Sequence, residues 1–383
     1  MKKQKICIIG GSLTGLVTAI SLSKLNCEID LIVDDFNKNL KSNRTIAISE
    51  NNLDFLEGLR ISKSLKKEMW PCEVMQLYTE NKYKKFLKIF DLYNDNKKKK
   101  IFYIQENNKI MRLMMAKIKK NKSISLINNT KVDEISNSGI LKNVKYNNNY
   151  FKYNLVILCT GYNSNLVKNL FNEQAINNTY NEFAITTIIN HASVKNNTAR
   201  QIFLDNEILA LLPISNTKTS VVWSVKNDMY KKNNSFFKKK IKFYAQNFLK
   251  NIKFATKIKH ADLNLLLREK FYKKRILLFG DALHRVHPLA GQGFNMTLRD
   301  LINLEKTLKS KLALGMDIGN ADVLSEFSRQ AKPRNLVYLT GIDFIKKFFS
   351  IKEKNFKGLR NKIVSNLNKN NTVKDFFLSV MAK

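Results

Sequence analysis

The run Gly10-Gly11-Ser12-Leu13-Thr14-Gly15 stands between a short apolar segment and a segment whose apolar residues have helical spacing. Glycines at such a junction let the main chain approach a pyrophosphate, and the start of the helix supplies unpaired N–H groups and positive potential. Ser12 occupies the middle glycine position of the usual pattern and narrows that approach. An acid closing the next strand should bind a ribose hydroxyl; strict spacing falls on Val33, and Asp34 follows it. The motif predicts a dinucleotide site or, as the alternative, a simple tight turn.

A second group of residues with chemical potential lies between Arg275 and Asn295. Asp281 follows a buried apolar run, where its carboxylate can accept a hydrogen bond from a sugar-alcohol hydroxyl. Pro288 and two glycines then lead into a helix that begins near Gln292. A helix start with glycine access can hold a delocalised anion such as a reduced flavin. We therefore expect the ring system of a cofactor to lie at this turn.

A metal centre is the competing interpretation of this block, because Asp281, His284 and His287 could form a facial triad of two imidazoles and a carboxylate. However, the proline after His287 favours extended backbone and disrupts the helical presentation that the two histidines would need. We predict no metal.

The chain is strongly basic: 383 residues carry 67 Lys and Arg against 31 Asp and Glu, a formal charge of +36. Hydrophobic residues make up 44% of the chain and aromatic residues 10%, which is typical of a folded protein. The cations are mostly lysines scattered among asparagines, a pattern that compositional drift would produce. Arginine, which suits phosphate and base contacts, is scarce, and no nucleic-acid-binding motif accompanies the charge. We predict no nucleic-acid partner, with a non-enzymatic polyanion-binding protein as the remote alternative.

The sequence also indicates the cellular compartment in which the protein is expected. No apolar run approaches the roughly 18 residues of a spanning helix, and the basic start leads directly into strand-like residues without a signal-peptide pattern. Cys7, Cys27, Cys72 and Cys159 are scattered and lack metal-ligand or disulfide spacing. These features predict a cytoplasmic protein with reduced, mostly buried cysteines.

The elements that must position these residues follow from periodicity. Lys5 to Gly10, Leu13 to Leu25 and Ile29 to Val33 read as strand, helix and strand. Two later apolar runs, Asn154 to Cys159 and Arg275 to Phe279, read as buried parallel strands. The region 183–225 instead contains successive strands without helices, which predicts an antiparallel layer. The fold class is therefore α/β, with a parallel sheet and a second, antiparallel sheet.

The block Gly280-Asp281, His287-Pro288 and Gly291-Gln292-Gly293-Phe294-Asn295 resembles the flavin-binding signature of the aromatic-ring hydroxylases, specifically the ubiquinone-biosynthesis hydroxylases, which are similar to para-hydroxybenzoate hydroxylase. Arg44 to Ser49 resembles the segment whose arginine reaches the flavin. Tyr103 to Asn107 resembles the segment beside the ribityl and adenosine part. Ala199 to Phe203 and Ala210 to Pro213 resemble strands of the substrate layer.

This resemblance implies a Rossmann-like FAD-binding domain formed by residues 1–72, 98–180 and 270–335. Residues 73–97 and 181–269 would form the antiparallel-sheet substrate domain, and residues 336–383 a C-terminal helical segment. The residues expected to bind FAD are Gly10, Gly11, Ser12, Thr14, Gly15, Asp34, Arg44, Gln105, Gly161, Gly280, Asp281, Pro288, Gly291, Gln292, Gly293, Phe294 and Asn295. Trp223 and Pro213 are the candidates for the substrate pocket. The family's Asp-Gly pair, associated with both FAD and NAD(P)H, is Thr160-Gly161 here.

The implied function is that of an FAD-dependent monooxygenase that hydroxylates the ring of a polyprenylated phenol in ubiquinone biosynthesis. In this family NAD(P)H reduces the flavin, O2 adds to give a C4a-hydroperoxide, and the phenol attacks its distal oxygen, so no catalytic side chain is expected. Another flavoprotein of the same fold, a halogenase, an epoxidase or a polyprenyl reductase, is the main alternative.

The alternating Phe and Lys residues of the C-terminal segment leave two interpretations open. They pack against the cofactor domain, or they form a basic amphipathic surface on an anionic membrane that holds a lipid-tailed substrate. In the second case the protein would be peripheral on the inner face of the membrane, near other ubiquinone-biosynthesis proteins.

Overall fold

The computed structural model describes residues 3–350 apart from 43, 81–85, 95, 97–98, 172–174, 206, 288–290 and 292. Two predicted cofactor residues, Pro288 and Gln292, and most of the predicted C-terminal segment, residues 351–383, lie outside the described residues.

The described part of the chain is a mixed α/β structure. The strands are β1 (Gln4–Ile9), β2 (Cys27–Val33), β3 (Thr45–Ser49), β4 (Trp70–Cys72), β5 (Val74–Glu80), β6 (Phe86–Tyr93), β7 (Phe102–Glu106), β8 (Ile124–Asn128), β9 (Glu134–Ser138), β10 (Leu141–Tyr146), β11 (Asn149–Tyr153), β12 (Leu155–Leu158), β13 (Ala175–Asn190), β14 (Thr198–Phe203), β15 (Ile208–Ser215), β16 (Lys218–Lys226), β17 (Lys253–Phe254), β18 (Lys259–Arg268), β19 (Tyr272–Lys273), β20 (Ile276–Leu278) and β21 (His284–Arg285). The helices are α1 (Leu13–Leu22), α2 (Phe36–Leu40), α3 (Glu50–Gly58), α4 (Leu65–Glu68), α5 (Asn107–Lys119), α6 (Asn165–Leu170), α7 (Asn234–Ala245), α8 (Gly293–Ala313) and α9 (Ala321–Ser350).

The parallel sheet has the order β19-β20-β12-β1-β2-β8, and its strands from β20 to β8 run parallel. Its central strands are apolar and buried. Helix α1 contacts β1 and β2, and the small antiparallel sheet formed by β9, β10 and β11 contacts β1 and β12. Helix α1 is buried along its whole length and packs against α5 and α8. The predicted β1-α1-β2 unit and the two later parallel strands are confirmed.

A small antiparallel sheet, β11-β10-β9, lies between β8 and β12 in the chain. Its middle strand, β10, pairs antiparallel with both β9 and β11. Asn147 and Asn148 adopt positive φ angles of 47° and 63° in the two-residue loop that joins β10 to β11. Asparagine tolerates this conformation in a tight hairpin, so the pair Asn147-Asn148 is the sequence feature that indicates the turn between β10 and β11.

The third layer is a nine-stranded sheet in the described part of the chain, with the path β21-β18-β13-β16-β15-β14-β5-β6 and with β17 beside β13. Its neighbours are antiparallel except for the parallel pair β14 and β5. One face joins the main core, and the other carries a separate core that α7 covers with Phe237, Ile241 and Tyr244. The expected antiparallel layer is confirmed, and β13 begins at Ala175, before residue 181.

Helices α8 and α9 pack against each other after the last strand. The boundary predicted between residues 335 and 336 falls inside α9, which passes Pro333 without a break. A bilayer-spanning candidate, long and apolar enough to cross, is absent from the described helices.

The four cysteines are all buried and form no disulfide with one another. Burial raises the pKa of the Cys72 thiol and of the Cys159 thiol to about 12. These thiols therefore remain protonated and behave as small apolar core residues.

Candidate active site

Two cavities meet at the start of α1. The inner cavity has a volume of about 280 Å³ and lies between α8, β3 and the nine-stranded sheet. The outer cavity has a volume of about 650 Å³ and lies at the ends of β1, β2 and β12. Ser12, Thr14 and Asp281 line both cavities, which therefore form one elongated cleft.

The turn between β1 and α1 is held by close packing that only glycine allows. A Cβ on Gly15 would lie 1.8 Å from the carbonyl oxygen of Gly10, and a Cβ on Gly11 would lie 2.3 Å from Cγ1 of Val33. Gly10 has a φ of +130°, and a Cβ there would lie 2.5 Å from the carbonyl oxygen of Cys159. The glycines thus bring the strand, the turn and the helix together, with Gly10 and Gly11 exposed to the outer cavity.

Ser12 is the N-cap of α1 and has extended backbone, and its side chain makes no capping hydrogen bond. The first N–H groups of α1 and the Ser12 side chain consequently face the junction of the two cavities. A serine at the middle glycine position of the motif is compatible with an open cleft.

The two aspartates after β2 have different surroundings. Asp35 caps α2, since its carboxylate accepts a hydrogen bond of 2.9 Å from the main-chain N–H of Lys38. Asp34 is exposed and lines the outer cavity together with Lys38 and Lys131. The acid expected to bind a ribose is therefore at this end of the cleft, one position after the strict spacing.

Thr160 and Gly161 form the opposite wall of the outer cavity. Gly161 has a φ of +83°, and no atom lies within 4 Å of the position that a Cβ would take. The hydroxyl oxygen of Thr160 is buried and has no hydrogen-bond partner among the described residues. An unpartnered buried hydroxyl on a cavity wall is suited to bind a polar group of a ligand.

The turn that carries Asp281 packs directly on the start of α1. Gly280 has a φ of +61°, and a Cβ there would lie 2.6 Å from Cγ2 of Thr14. This contact places Asp281 at the junction of the two cavities. Gly280 itself lines neither cavity and allows the turn to pack against Thr14.

The upper wall of the inner cavity contains the residues of β3, the turn after β20 and α8 that sequence reasoning selected: Arg44, Asp281, Gly291, Gly293 and Phe294. Thr45 and Ser220 join this wall to the sheet, because their hydroxyl oxygens lie 2.9 Å apart in a hydrogen bond.

The floor of the inner cavity is the nine-stranded sheet, which presents small and apolar side chains. They are Ala184 and Thr186 of β13, Leu212 of β15, Ser220 and Val222 of β16, and Ala261 and Leu263 of β18. The floor thus leaves space for a flat ring and offers few competing polar groups.

Arg285 is a cavity residue that sequence reasoning missed. Its guanidinium lies 4.1 Å from the centre of the Tyr162 ring and donates a hydrogen bond of 2.5 Å to the carbonyl of Asp262. Its Nη1 atom is buried without a hydrogen-bond partner among the described residues. The side chain adds a second cation to the inner cavity, beside Arg44. The one sequence feature that could have indicated Arg285 as a cavity residue is its position between His284 and His287.

The side-chain amides of Gln105 and Asn295, two of the residues predicted to bind the cofactor, make hydrogen bonds within the protein. The Gln105 amide donates to the carbonyl of Glu68 and accepts from the N–H of Glu106. Asn295 is fully buried, accepts from the N–H of Ser49 and donates to the carbonyl of Ala47 at 2.9 Å. Both amides hold β3 and its neighbours in place, and neither side chain lines the two cavities.

Trp223 and Pro213, the residues predicted for the substrate pocket, do not line the inner cavity. Side chains alternate along a strand, and here Val222 and Leu212 face the cavity. The ring of Trp223 is fully buried on the opposite face, where it packs edge-on against Phe237 and Tyr244 of α7.

The histidines of the block engage separate carboxylates. Nε2 of His284 lies 2.8 Å from Asp300 of α8, which also accepts from Asn335 of α9. Nε2 of His287 lies 3.3 Å from Glu182 of β13. In the described part of the chain, no group of three His, Cys, Asp or Glu side chains is arranged to hold a metal.

Glu182 joins His287 to α9, because it also accepts a hydrogen bond of 2.8 Å from Nζ of Lys346. Burial raises the pKa of Glu182, but the hydrogen bonds from His287 and Lys346 outweigh it and leave this pKa below the usual range. Burial lowers the pKa of His287 and that of Lys346. The imidazole is therefore neutral near pH 7 and acts as a hydrogen-bond donor to a carboxylate. We name Glu182, His287 and Lys346 the β13-α9 network.

The sequence profile of the FAD binding domain family matches residues 3–334. The ubiquinone biosynthesis monooxygenase COQ6, mitochondrial, of Dictyostelium discoideum is 24% identical over 98% of this chain and 90% of that protein. The crystal structure of p-nitrophenol 4-monooxygenase PnpA from Pseudomonas putida DLL-E4 superimposes with a TM-score of 0.79 at 14% identity, covering 100% of both chains. The crystal structure of Klebsiella pneumoniae HpxO complexed with FAD and uric acid gives a TM-score of 0.76 at 13% identity, covering 99% of this chain and 96% of that chain.

Proposed function

Because the chain belongs to the FAD binding domain family and is an FAD-dependent monooxygenase, we propose that it hydroxylates the aromatic ring of a polyprenylated phenol in ubiquinone biosynthesis. The similarity to a ubiquinone biosynthesis monooxygenase along nearly the whole chain supports this substrate class. The single observation that carries the proposal is the joined cleft, whose inner end has an apolar floor beneath two arginines.

The residues of the cleft fit FAD. Its adenosine would lie in the outer cavity, with Asp34 at the ribose and the N–H groups of α1 at the pyrophosphate. The unpartnered hydroxyl of Thr160 would hydrogen-bond the same part of the cofactor. Asp281 would accept from the ribityl chain, and the flavin ring would lie in the inner cavity between Arg44 and the start of α8.

When bound, FAD would accept electrons from NAD(P)H and use them to activate O2. The protein's own part is to bind and orient. Gly291 and Gly293 allow the main chain near α8 to approach the ring, and the positive end of α8 favours negative charge there. The apolar floor holds the phenol ring and keeps water from the reacting atoms.

Thr160 bears on how strongly NAD(P)H binds, because the family has an acidic residue at this position. Gly161 preserves the close approach, while the neutral hydroxyl of Thr160 removes a charge from the wall of the outer cavity. We propose that NAD(P)H still reduces the flavin and that this threonine weakens its binding.

Steady-state assay of the FAD-loaded protein tests the proposed function. With 2-farnesylphenol as the probe, we expect NAD(P)H oxidation to accelerate and a product with one added oxygen to form. A halogenase, epoxidase or polyprenyl reductase would also hold FAD but would not give the hydroxylated ring. A rate of NAD(P)H oxidation that is the same with and without 2-farnesylphenol would contradict the proposal.

We further propose that the protein works as a peripheral protein at an anionic membrane surface on the inner, cytoplasm-facing side, where lipid-tailed phenols reside. Helix α9 exposes Leu336, Val337 and Phe344, whose exposed fractions are 43%, 68% and 58%. Lys332, Arg334 and Lys347 flank these residues on the exposed side. An apolar stripe bordered by cations is typical of a helix that lies in a lipid headgroup layer.

A further inference from the structure

We propose that Thr186 of β13 is a specificity-determining residue whose hydroxyl hydrogen-bonds the ring oxygen of the phenol on the floor of the inner cavity. This inference rests on the proposed function, since it names a contact of the same substrate. Thr186 lines the inner cavity and is partly exposed, so a ligand in the cavity can contact its side chain. Such a contact would distinguish a phenol from an analogue that lacks the ring oxygen.

The hydroxyl of Thr186 is available to a ligand. It has no hydrogen-bond partner in the described part of the chain, and its oxygen is not among the side-chain atoms that are buried without one. The oxygen is therefore accessible from the cavity. The next residue, Thr187, is by contrast fully buried on the opposite face, and its hydroxyl donates a hydrogen bond of 2.9 Å to the carbonyl of Thr256. The structure thus satisfies the buried hydroxyl and leaves the cavity-facing one unused.

Thr186 also carries the unused hydroxyl of an otherwise apolar surface. Of the floor residues that the structure describes, two have a hydroxyl, Thr186 and Ser220. The hydroxyl of Ser220 is already hydrogen-bonded to that of Thr45 at 2.9 Å. The other described floor residues are alanine, valine and leucine. A polar group on a ligand that lies on this floor therefore meets Thr186 as its partner.

The strand register surrounds Thr186 with small and apolar side chains. Val222 of β16 lies directly opposite it, and Ala184 precedes it by two residues on the same face. Ala261 of β18 pairs with Ala184 and is therefore diagonal to Thr186. Two residues of a strand span about 6.5 Å, a distance that a phenol ring can bridge. A ring oxygen at Thr186 thus places the ring over the two alanines, whose methyl groups leave space for it.

The chemistry of a hydroxyl fits both forms of the ring oxygen. A threonine hydroxyl is a donor and an acceptor, so it can accept from a phenol or donate to a phenolate. Lys259, which lies opposite Thr186 on β18, directs its ammonium to the carbonyl of Lys41, in the loop before β3. A site that hydrogen-bonds a substrate oxygen discriminates against the analogue without it, because the polar group of the site is then left unpaired.

Two ligands and two variants test this inference. Thr186→Val keeps the shape of the side chain and removes the hydroxyl, so the affinity of the FAD-loaded protein for 2-farnesylphenol should fall roughly tenfold, the size of one hydrogen bond. Farnesylbenzene, which lacks the ring oxygen, should bind equally well to the wild type and to Thr186→Val. Thr186→Ser retains a hydroxyl and should restore most of the phenol affinity. The change in flavin absorbance on titration measures each affinity.

Thr187→Val is the matched control, because it removes a hydroxyl from the opposite face of the same strand. The loss of its hydrogen bond to Thr256 should lower Tm and leave the affinity for 2-farnesylphenol unchanged.

The outcomes separate this inference from the proposed function. Equal phenol affinity in the wild type and in Thr186→Val, or an equal loss of affinity for farnesylbenzene, would show that the hydroxyl does not contact the ring oxygen and would overturn the inference alone. A Thr186→Ser protein that binds the phenol as weakly as Thr186→Val would overturn it too. A wild-type protein that holds FAD but gives no response to the phenol would contradict the proposed function and this contact with it.

Discussion

At the scale of single residues, Asp281 has the most specific position in the cleft. It is exposed, lines both cavities and stands on a turn fixed by the packing of Gly280 on Thr14. No other carboxylate among the described residues lines both cavities. Its place at the junction, rather than its charge alone, makes it the expected partner of the ribityl hydroxyls.

Asp281→Ala should therefore weaken FAD binding by roughly 10- to 100-fold, since a hydrogen bond to a charged group contributes about 1.5–3 kcal/mol. The flavin-to-protein ratio of the purified variant measures this loss. Asp54→Ala, at an exposed aspartate of α3, is the control that should retain its FAD. An unchanged flavin content in Asp281→Ala would refute the role of this carboxylate.

Glycine packing gives a second prediction at this scale. Gly15→Ala forces a Cβ to within 1.8 Å of a main-chain oxygen, so it should displace α1 and abolish FAD binding or folding. Gly58→Ala is a matched helical control, because no atom lies within 4 Å of its new Cβ. It should be neutral or stabilising by about 0.5–1 kcal/mol. Thermal unfolding measures both, and a Gly15→Ala protein with wild-type Tm and flavin content would disprove the packing account.

At the scale of elements, the β13-α9 network joins helix α9 to His287 through Glu182 of β13. Glu182 stands at a register shift of β13, and His287 follows Val286, which lines the inner cavity. The side chains of Glu182 and Lys346 are only 10% and 12% exposed. The network thus holds the imidazole of His287 against β13 and α9.

Lys346→Met should lower both Tm and FAD affinity, because it leaves the Glu182 carboxylate buried with one partner fewer. Removal of one member of a buried pair typically destabilises by about 3–5 kcal/mol, and the remaining exposure of the pair favours the lower value. Lys347→Met is the control on the same helix: its side chain is 70% exposed, so the change should stay within about 0.5 kcal/mol. Equal Tm and equal FAD affinity in the two variants would show that the network carries no positioning role.

At the scale of the whole molecule, the basic charge and the exposed stripe of α9 predict binding to anionic membranes. Liposome flotation should recover the protein with vesicles that contain anionic phosphatidylserine, and binding should weaken as salt rises. Replacement of Val337 and Phe344 by Ser should reduce the recovered fraction several-fold without changing FAD content. Equal recovery with neutral vesicles, or none with anionic ones, would remove the membrane proposal.

The parts of the architecture that the sequence predicts are those that follow from the periodic spacing of apolar residues and from the positions of glycines. The β1-α1-β2 unit, the parallel strands and the antiparallel layer follow from apolar patterns that one strand or helix carries by itself. Whether a side chain faces a cavity depends instead on register between strands, which one sequence does not contain. A shift by one residue separates Trp223 from Val222 and Pro213 from Leu212.

The same limit applies to polar residues. Gln105 and Asn295 stand in segments that do surround the cleft, yet their amides are taken up by main-chain groups of distant segments.

Oxygen labelling of the reaction product tests the central claim most directly. The FAD-loaded protein, supplied with NAD(P)H, 2-farnesylphenol and ¹⁸O2, should form a ring-hydroxylated phenol that carries one ¹⁸O atom, as read by mass spectrometry. Oxygen derived from water, or a protein that binds FAD and oxidises NAD(P)H without oxygenating the ring, would contradict the account.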